Sequence, residues 1–238
     1  MRKSLYFLIL VLLLLTLSCG SGSSSGGGSS GGGSSGGGSS GGGSGQGSNW
    51  PSGDYSYLNQ HNASYNNGVI IRWQTPILVN TNGISGAEDS FRQWGLPFSF
   101  VNYNPSEGIV VSMGNPGAGV CGSTTSQWYS TNGRMVSARI IISQNLHGCT
   151  GGLSGVITHE ACHAIGYRGH SSDGGLMDTT GGNGQITAAV RNMISLLYSL
   201  PVGTNIKPVL SAKKPSLLPR LEYKQIPDGG RIVTLVEQ

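Results

Sequence analysis

Charge is scarce in this chain: only 10% of its 238 residues are Asp, Glu, Lys or Arg. Of the 14 basic residues, Arg2 and Lys3 sit at the extreme N-terminus and six (Lys207, Lys213, Lys214, Arg220, Lys224, Arg231) follow Asn205. What remains has no basic stripe and no interleaved aromatics, which excludes a nucleic-acid-binding reading. Long apolar runs are also missing. The one extended run, Leu5 to Leu17, is too short for a comfortable membrane span. Cysteine is limited to four residues and histidine to five, yet three of those histidines fall within the short stretch Thr158 to Asp178.

The apolar run follows Arg2 and Lys3 and ends at Ser18–Cys19, the layout of a secretory signal over residues 1–18. Cys19 then opens a segment of 16 Gly, 12 Ser and Gln46 that reaches to Ser48. Such a segment buries no apolar side chain and cannot repay the entropy of ordering. It reads as a flexible tether with a reach of roughly 30 Å. The junction resembles the lipobox of bacterial lipoproteins, which implies lipidation of Cys19, membrane attachment through it and a cell-surface location. Plain secretion is the alternative. Outside the cytosol, Cys121 and Cys149 form the natural disulfide pair, each lying in a Gly-rich loop. Cys162 lies in an apolar helical pattern and reads as a buried small hydrophobe.

Residues 49–206 carry the pattern of one α/β domain. Gly68–Trp73, Phe98–Val101, Gly108–Met113 and Arg134–Ile142 are β-branched or alternating and predict strands. Ile84–Trp94, Leu153–Ile165 and Thr187–Leu200 have helical spacing, the last ended by Pro201. The order predicts a twisted, mostly parallel sheet of about five strands with three helices. Residues 207–238 form a Pro-containing, mildly basic tail. Its composition leaves open whether it wraps the domain, binds a partner or stays loose.

On a helix over Leu153–Ile165, His159 and His163 stand at i and i+4, one turn apart on one face. Two imidazoles at that spacing can hold one zinc ion, and Glu160 beside them is placed as a general base for an attacking water. Gly166 allows positive φ, so the chain can reverse there and return His170 toward the pair. Three protein ligands would leave a position open for chemistry. Asp173 is the other candidate for the third ligand. His61 and His147 have no ligand spacing and read as loop histidines.

HEACHAIGYRGHSSDGGLM (His159–Met177) resembles the metzincin zinc-protease signature, and most of all that of the matrixin branch. The shared positions are His159, Glu160, His163, Gly166, His170, Ser171 and Met177. AEDSFRQWGLPFSFV resembles the first helix and second strand of the matrixin catalytic domain, and GIVVSMG the third strand. The spacing departs at one point: the family's third histidine would fall at Gly169, so one residue is inserted before His170. The loop Tyr167–Gly169 must absorb the extra residue; within it Arg168 is expected to face solvent, away from a metal dication, and Gly169 to take the unusual backbone conformation. Thr179 stands where astacin-like relatives carry a tyrosine, and no acidic run lies near Arg139–Ser143, so calcium is not expected.

Together with the secretory signal, the resemblance implies an exported zinc-dependent endopeptidase acting on a peptide or protein substrate; the chain is expected to act as a monomer. His159, His163 and His170 would bind Zn2+, Glu160 would be the general base and Met177 a hydrophobic floor. Met135–Ile142 is expected to supply an exposed edge strand for an extended peptide. The alternative is a catalytically inactive zinc-bearing adhesion module tethered at the cell surface.

Overall fold

The computed structural model describes residues 52–211 and 231–238. The signal, Cys19, the tether and most of the tail lie outside the described residues. Of two compact units in the chain, the second, Gln46–Gln238, carries everything that follows.

Among the described residues the elements run α1 (Ser52–His61), a 3-10 turn (Ala63–Asn66), β1 (Ile77–Asn80), α2 (Ala87–Arg92), β2 (Phe98–Phe100), β3 (Gly108–Gly114), β4 (Gly122–Tyr129), β5 (Met135–Ser143), α3 (Gly152–Ala164), α4 (Ala188–Ser199), α5 (Lys207–Leu210) and β6 (Ile232–Glu237). The strands form one sheet in the order β2-β1-β3-β5-β4-β6. β2, β1, β3 and β5 are mutually parallel, while β4 runs antiparallel to β5 and β6 antiparallel to β4. This is the mixed α/β architecture with a mostly parallel sheet that the element order predicts.

The centre of the sheet is where the apolar strands lie. Ile109 and Val111 of β3 and Ala138, Ile140 and Ile142 of β5 are buried at two-residue spacing, as a pleated strand with one face on a core requires. α3 packs on α2, β4 and β5, and is buried on most of its circumference from Val156 to Ala164. α4 turns Val190, Met193, Ile194, Leu196 and Leu197 inward. Its first turn is capped by the Thr187 side chain, which accepts from the Val190 N–H.

Three expectations are corrected here. Gly68–Trp73 is no strand of the sheet. It is an extended buried segment held by isolated bridges, Val69 to Asn205 and Arg72 to Arg134, and by the Asn62 side chain, which accepts from Ile71 N–H. Its continuous burial over Ile70–Trp73 explains the apolar composition without strand pairing. Met135–Ile142 is not an edge: β5 is paired on both sides, with β3 and with β4. The third correction concerns Arg168 and belongs to the site.

The tail, which had no role in sequence, supplies β6. This strand covers the outer edge of β4 from Thr124 (opposite Glu237) to Tyr129 (opposite Ile232). The Cys121–Cys149 disulfide is formed, with Cα atoms 5.9 Å apart. It ties the entry of β4 to the loop that leads into α3. Cys162 is a free, buried thiol.

Candidate active site

α3 sets His159 and His163 on one face, and the chain reverses directly after it. Gly166 takes φ 118°. A Cβ there would stand 2.7 Å from the Ile71 carbonyl oxygen, so the close approach needs glycine. The Asn62 amide locks the reversal by donating to the carbonyls of Ile71 and Gly166, each at 2.7 Å. Gly169 takes φ 65°, the left-handed conformation expected of it, and His170 follows.

The three histidines meet. His159 Nε2 lies 3.1 Å from His163 Nε2 and 3.3 Å from His170 Nε2. On the far side of each helical ring, Nδ1–H donates to a backbone carbonyl: His159 to Leu176 at 2.6 Å and His163 to Tyr167 at 3.1 Å. Those bonds fix the tautomer, leaving both Nε2 atoms without a proton. Burial, then the charge of the neighbouring histidines, lowers the pKa of His159 and His163 to about 3. Burial lowers that of His170 as well.

Unprotonated nitrogens this close cannot hydrogen-bond one another, and their lone pairs repel. A cation between them removes the conflict. Four-coordinate zinc with Zn–N near ~2.05 Å needs N···N edges of about 3.3 Å, which the observed separations match. The donor set therefore fits zinc, and these three residues form the metal-capable cluster found among the described residues.

Glu160 faces the same space. Its side chain is buried and its Oε2 accepts from Thr124 Oγ1 at 2.7 Å. Burial pushes its carboxyl up to about 8, opposed by the Thr124 hydrogen bond; a cation held on the histidines acts in the lowering direction too. A cleft of about 570 Å³ opens over these groups, with His159, Glu160 and His170 in its floor. It is lined by Gly119–Gly122 and Gly148–Thr150, joined by the disulfide, and by Thr179–Gly181, whose Thr180 carbonyl accepts from Thr150 Oγ1 at 3.1 Å.

The remaining expected residues fall as follows. Met177 is fully buried, and its carbonyl accepts from Ser171 N–H at 2.8 Å, which closes the turn beneath the site. Asp173 is exposed and turned to the Ser171 and Thr187 hydroxyls. His61 is the last residue of α1, stacked on Tyr167 at 4.6 Å. His147 is exposed in a turn. Arg168 does not face solvent. It is completely buried, and its Nη1 donates to Glu237 Oε2 at 2.8 Å, Ser126 Oγ at 3.1 Å and the His163 carbonyl at 3.0 Å. The partner that makes this burial tolerable stands 69 residues further on.

Two residues with a part in the site escaped sequence reading. Thr124 orients Glu160, and Gly122 leaves room for it. Both belong to β4, whose residues Gly122–Gln127 are glycine and small or polar side chains and read as loop. A Cβ on Gly122 would stand 2.7 Å from Glu160 Cγ and Oε1 and 2.9 Å from Val156 Cγ1. Gly122→Ala is therefore expected to push the carboxylate aside without touching the histidines. Zinc content should stay at wild-type level while kcat falls on the order of 10- to 100-fold, the range for a reacting group displaced by about 1 Å. Steady-state kinetics beside metal analysis checks it.

No protein-family model matches this chain, and no curated protein matches it. Among solved structures the chain is similar to high choriolytic enzyme 1, a hatching-enzyme zinc-protease from the medaka fish Oryzias latipes, at 25% identity and a TM-score of 0.23. The match covers 42% of this chain and 46% of that one, so the chain spans less than half the length of the structure it resembles. At that TM-score the likeness decides nothing about activity, and the site stands on its own geometry.

Proposed function

We propose that this chain is a zinc-dependent endopeptidase of an oxidising, extracytosolic compartment, built in the metzincin manner. One observation carries the reading. Three imidazole Nε2 atoms converge, those of His159 and His163 unprotonated, beside a buried carboxylate under an open cleft. The Cys121–Cys149 disulfide favours export, since such bonds are rare in a reducing cytosol.

His159, His163 and His170 would hold the zinc. When bound, the metal supplies a Lewis acid that polarises the scissile carbonyl and makes water a better nucleophile at neutral pH. The protein's own groups do the rest. The carbonyls of Leu176 and Tyr167 hold the imidazoles in the ligating tautomer. Glu160 accepts a proton from the attacking water and returns it to the leaving amine. Thr124 keeps Glu160 in place for both transfers. Because β6 fills the outer edge of β4 from Thr124 onward, strand-like addition of a peptide is confined to the stretch ahead of it, Gly119–Gly122, which lines the cleft.

The test is zinc stoichiometry of the purified protein, paired with hydrolysis of unfolded protein substrates before and after chelation. One equivalent of zinc and chelator-sensitive cleavage, restored by added zinc, are expected. Zinc without cleavage would instead favour a tethered binding module, and a metal-free, inactive protein would sink both readings.

A further inference from the structure

The loop from Gly166 to His170 has little in its own composition to hold it, so what fixes it comes from elsewhere in the fold. Gly166 and Gly169 both lie in the positive-φ region, and the loop carries one residue more than the matrixin pattern it resembles. A ligand on a loose loop would bind metal weakly, because binding would have to repay the entropy of ordering the loop. Something must fix it beforehand.

We propose that Glu237, the last residue of β6, is a positioning residue for the metal site. It anchors the loop that presents His170, and borders His163, without itself being a ligand. The inference rests on the zinc-site reading above. Its two carboxylate oxygens divide the task. Oε1 accepts from the Gly169 N–H at 2.8 Å, one residue before His170. Oε2 accepts from Arg168 Nη1 at 2.8 Å and lies 3.6 Å from His163 Nδ1. Arg168 in turn donates to the His163 carbonyl and lies over the Trp128 ring at 5.2 Å. Its backbone is clamped by His61 from both sides, N–H to the His61 carbonyl at 2.7 Å and carbonyl to His61 Nδ1 at 3.1 Å. Arg168 thereby makes an anchor of the lengthened loop.

Strand register explains why a residue so distant in sequence can do this. Glu237 stands directly opposite Thr124 in the β4–β6 ladder. Opposed residues share a face of the sheet, here the face beneath α3. Thr124 from that pair holds the general base, and Glu237 holds the loop of the third histidine. The tail strand thus completes the site instead of merely lengthening the sheet.

The experiment uses the full chain and reads zinc affinity by chelator competition, with the visible spectrum of the cobalt-substituted protein as a report on coordination. Groups behind metal ligands typically contribute 10- to 100-fold in affinity, and Glu237→Ala should lose that much. Arg168→Met with Glu237→Gln removes the cation while keeping an acceptor for Gly169, and should stay within a few-fold of wild type. The double variant Arg168→Met with Glu237→Leu strands no buried charge, so it is expected to fold even if Glu237→Ala does not. It should still bind zinc at least 10-fold more weakly and show an altered cobalt spectrum, since Gly169 has lost its acceptor. Wild-type zinc affinity in Arg168→Met with Glu237→Leu would mean that Glu237 only neutralises Arg168, and the proposal falls. It also falls if Arg168→Met with Glu237→Gln loses as much affinity as Arg168→Met with Glu237→Leu. A wild-type protein that takes up no zinc at all would strike the metal-site reading instead, leaving the two failures distinguishable.

Discussion

Glu160→Gln is expected to bind zinc as the wild type does and to lose nearly all hydrolysis. The side chain is 2% exposed and held by the Thr124 hydroxyl, so an amide of the same shape has a partner waiting and no room to move. No histidine nitrogen bonds to the carboxylate, which leaves the ligands undisturbed. What disappears is the capacity to take a proton. General bases contribute on the order of 10² to 10⁴ in rate. A base held this rigidly, with proton transfers in both directions, belongs at the upper end. The measurement is kcat on a protein substrate at matched zinc content. A variant working at more than about a tenth of the wild-type rate, against that 10² lower bound, would remove Glu160 from the mechanism.

How far the site could be read in advance depended on where its contacts lie along the chain. His159, Glu160 and His163 are one helical turn, and Gly166 and Gly169 announce positive φ by being glycine. These were legible because each signal is local. The central strands β3 and β5 and the helices α3 and α4 were legible for the same reason, since apolar side chains repeat at the strand or helix period. β4 was not. Its buried face is Thr124, Ser126 and Trp128, at strand spacing, but two of the three are polar because they serve Glu160 and Arg168 instead of filling a core. An alternation of polar residues gives no hydropathy signal. Arg168 failed similarly. A buried arginine is improbable until its carboxylate is known, and that carboxylate belongs to β6, beyond the segment 212–230. β5 reads as an edge in sequence because the strands that flank and close that side, β4 and β6, carry no apolar period.

The largest loss of metal is expected from His170→Ala, and Asp173→Ala is its control. Sequence left both residues open as the third ligand, one by position and the other by chemistry. Their placements differ. His170 Nε2 stands 3.3 Å from His159 Nε2, within the converging set. The Asp173 carboxylate is spent elsewhere: Oδ1 accepts from Ser171 Oγ at 2.7 Å and the Gly175 N–H at 3.1 Å, and Oδ2 from Thr187 Oγ1 at 2.6 Å. Burial alone would raise its pKa, but the Thr187 and Ser171 hydroxyls more than offset that and lower it, as expected for a carboxylate satisfied by donors. Removing it loosens the turn ahead of α4, worth about 1 kcal/mol per lost hydrogen bond, and should leave zinc stoichiometric after dialysis. Removing His170 leaves two imidazoles and solvent. Groups that merely orient ligands contribute 10- to 100-fold, so deleting a ligand should exceed about 100-fold and leave the dialysed protein largely metal-free. A loaded His170→Ala beside a metal-free Asp173→Ala would move the third ligand to the carboxylate, and the positioning role of Glu237 would fall with it, since the loop it anchors would then carry no ligand.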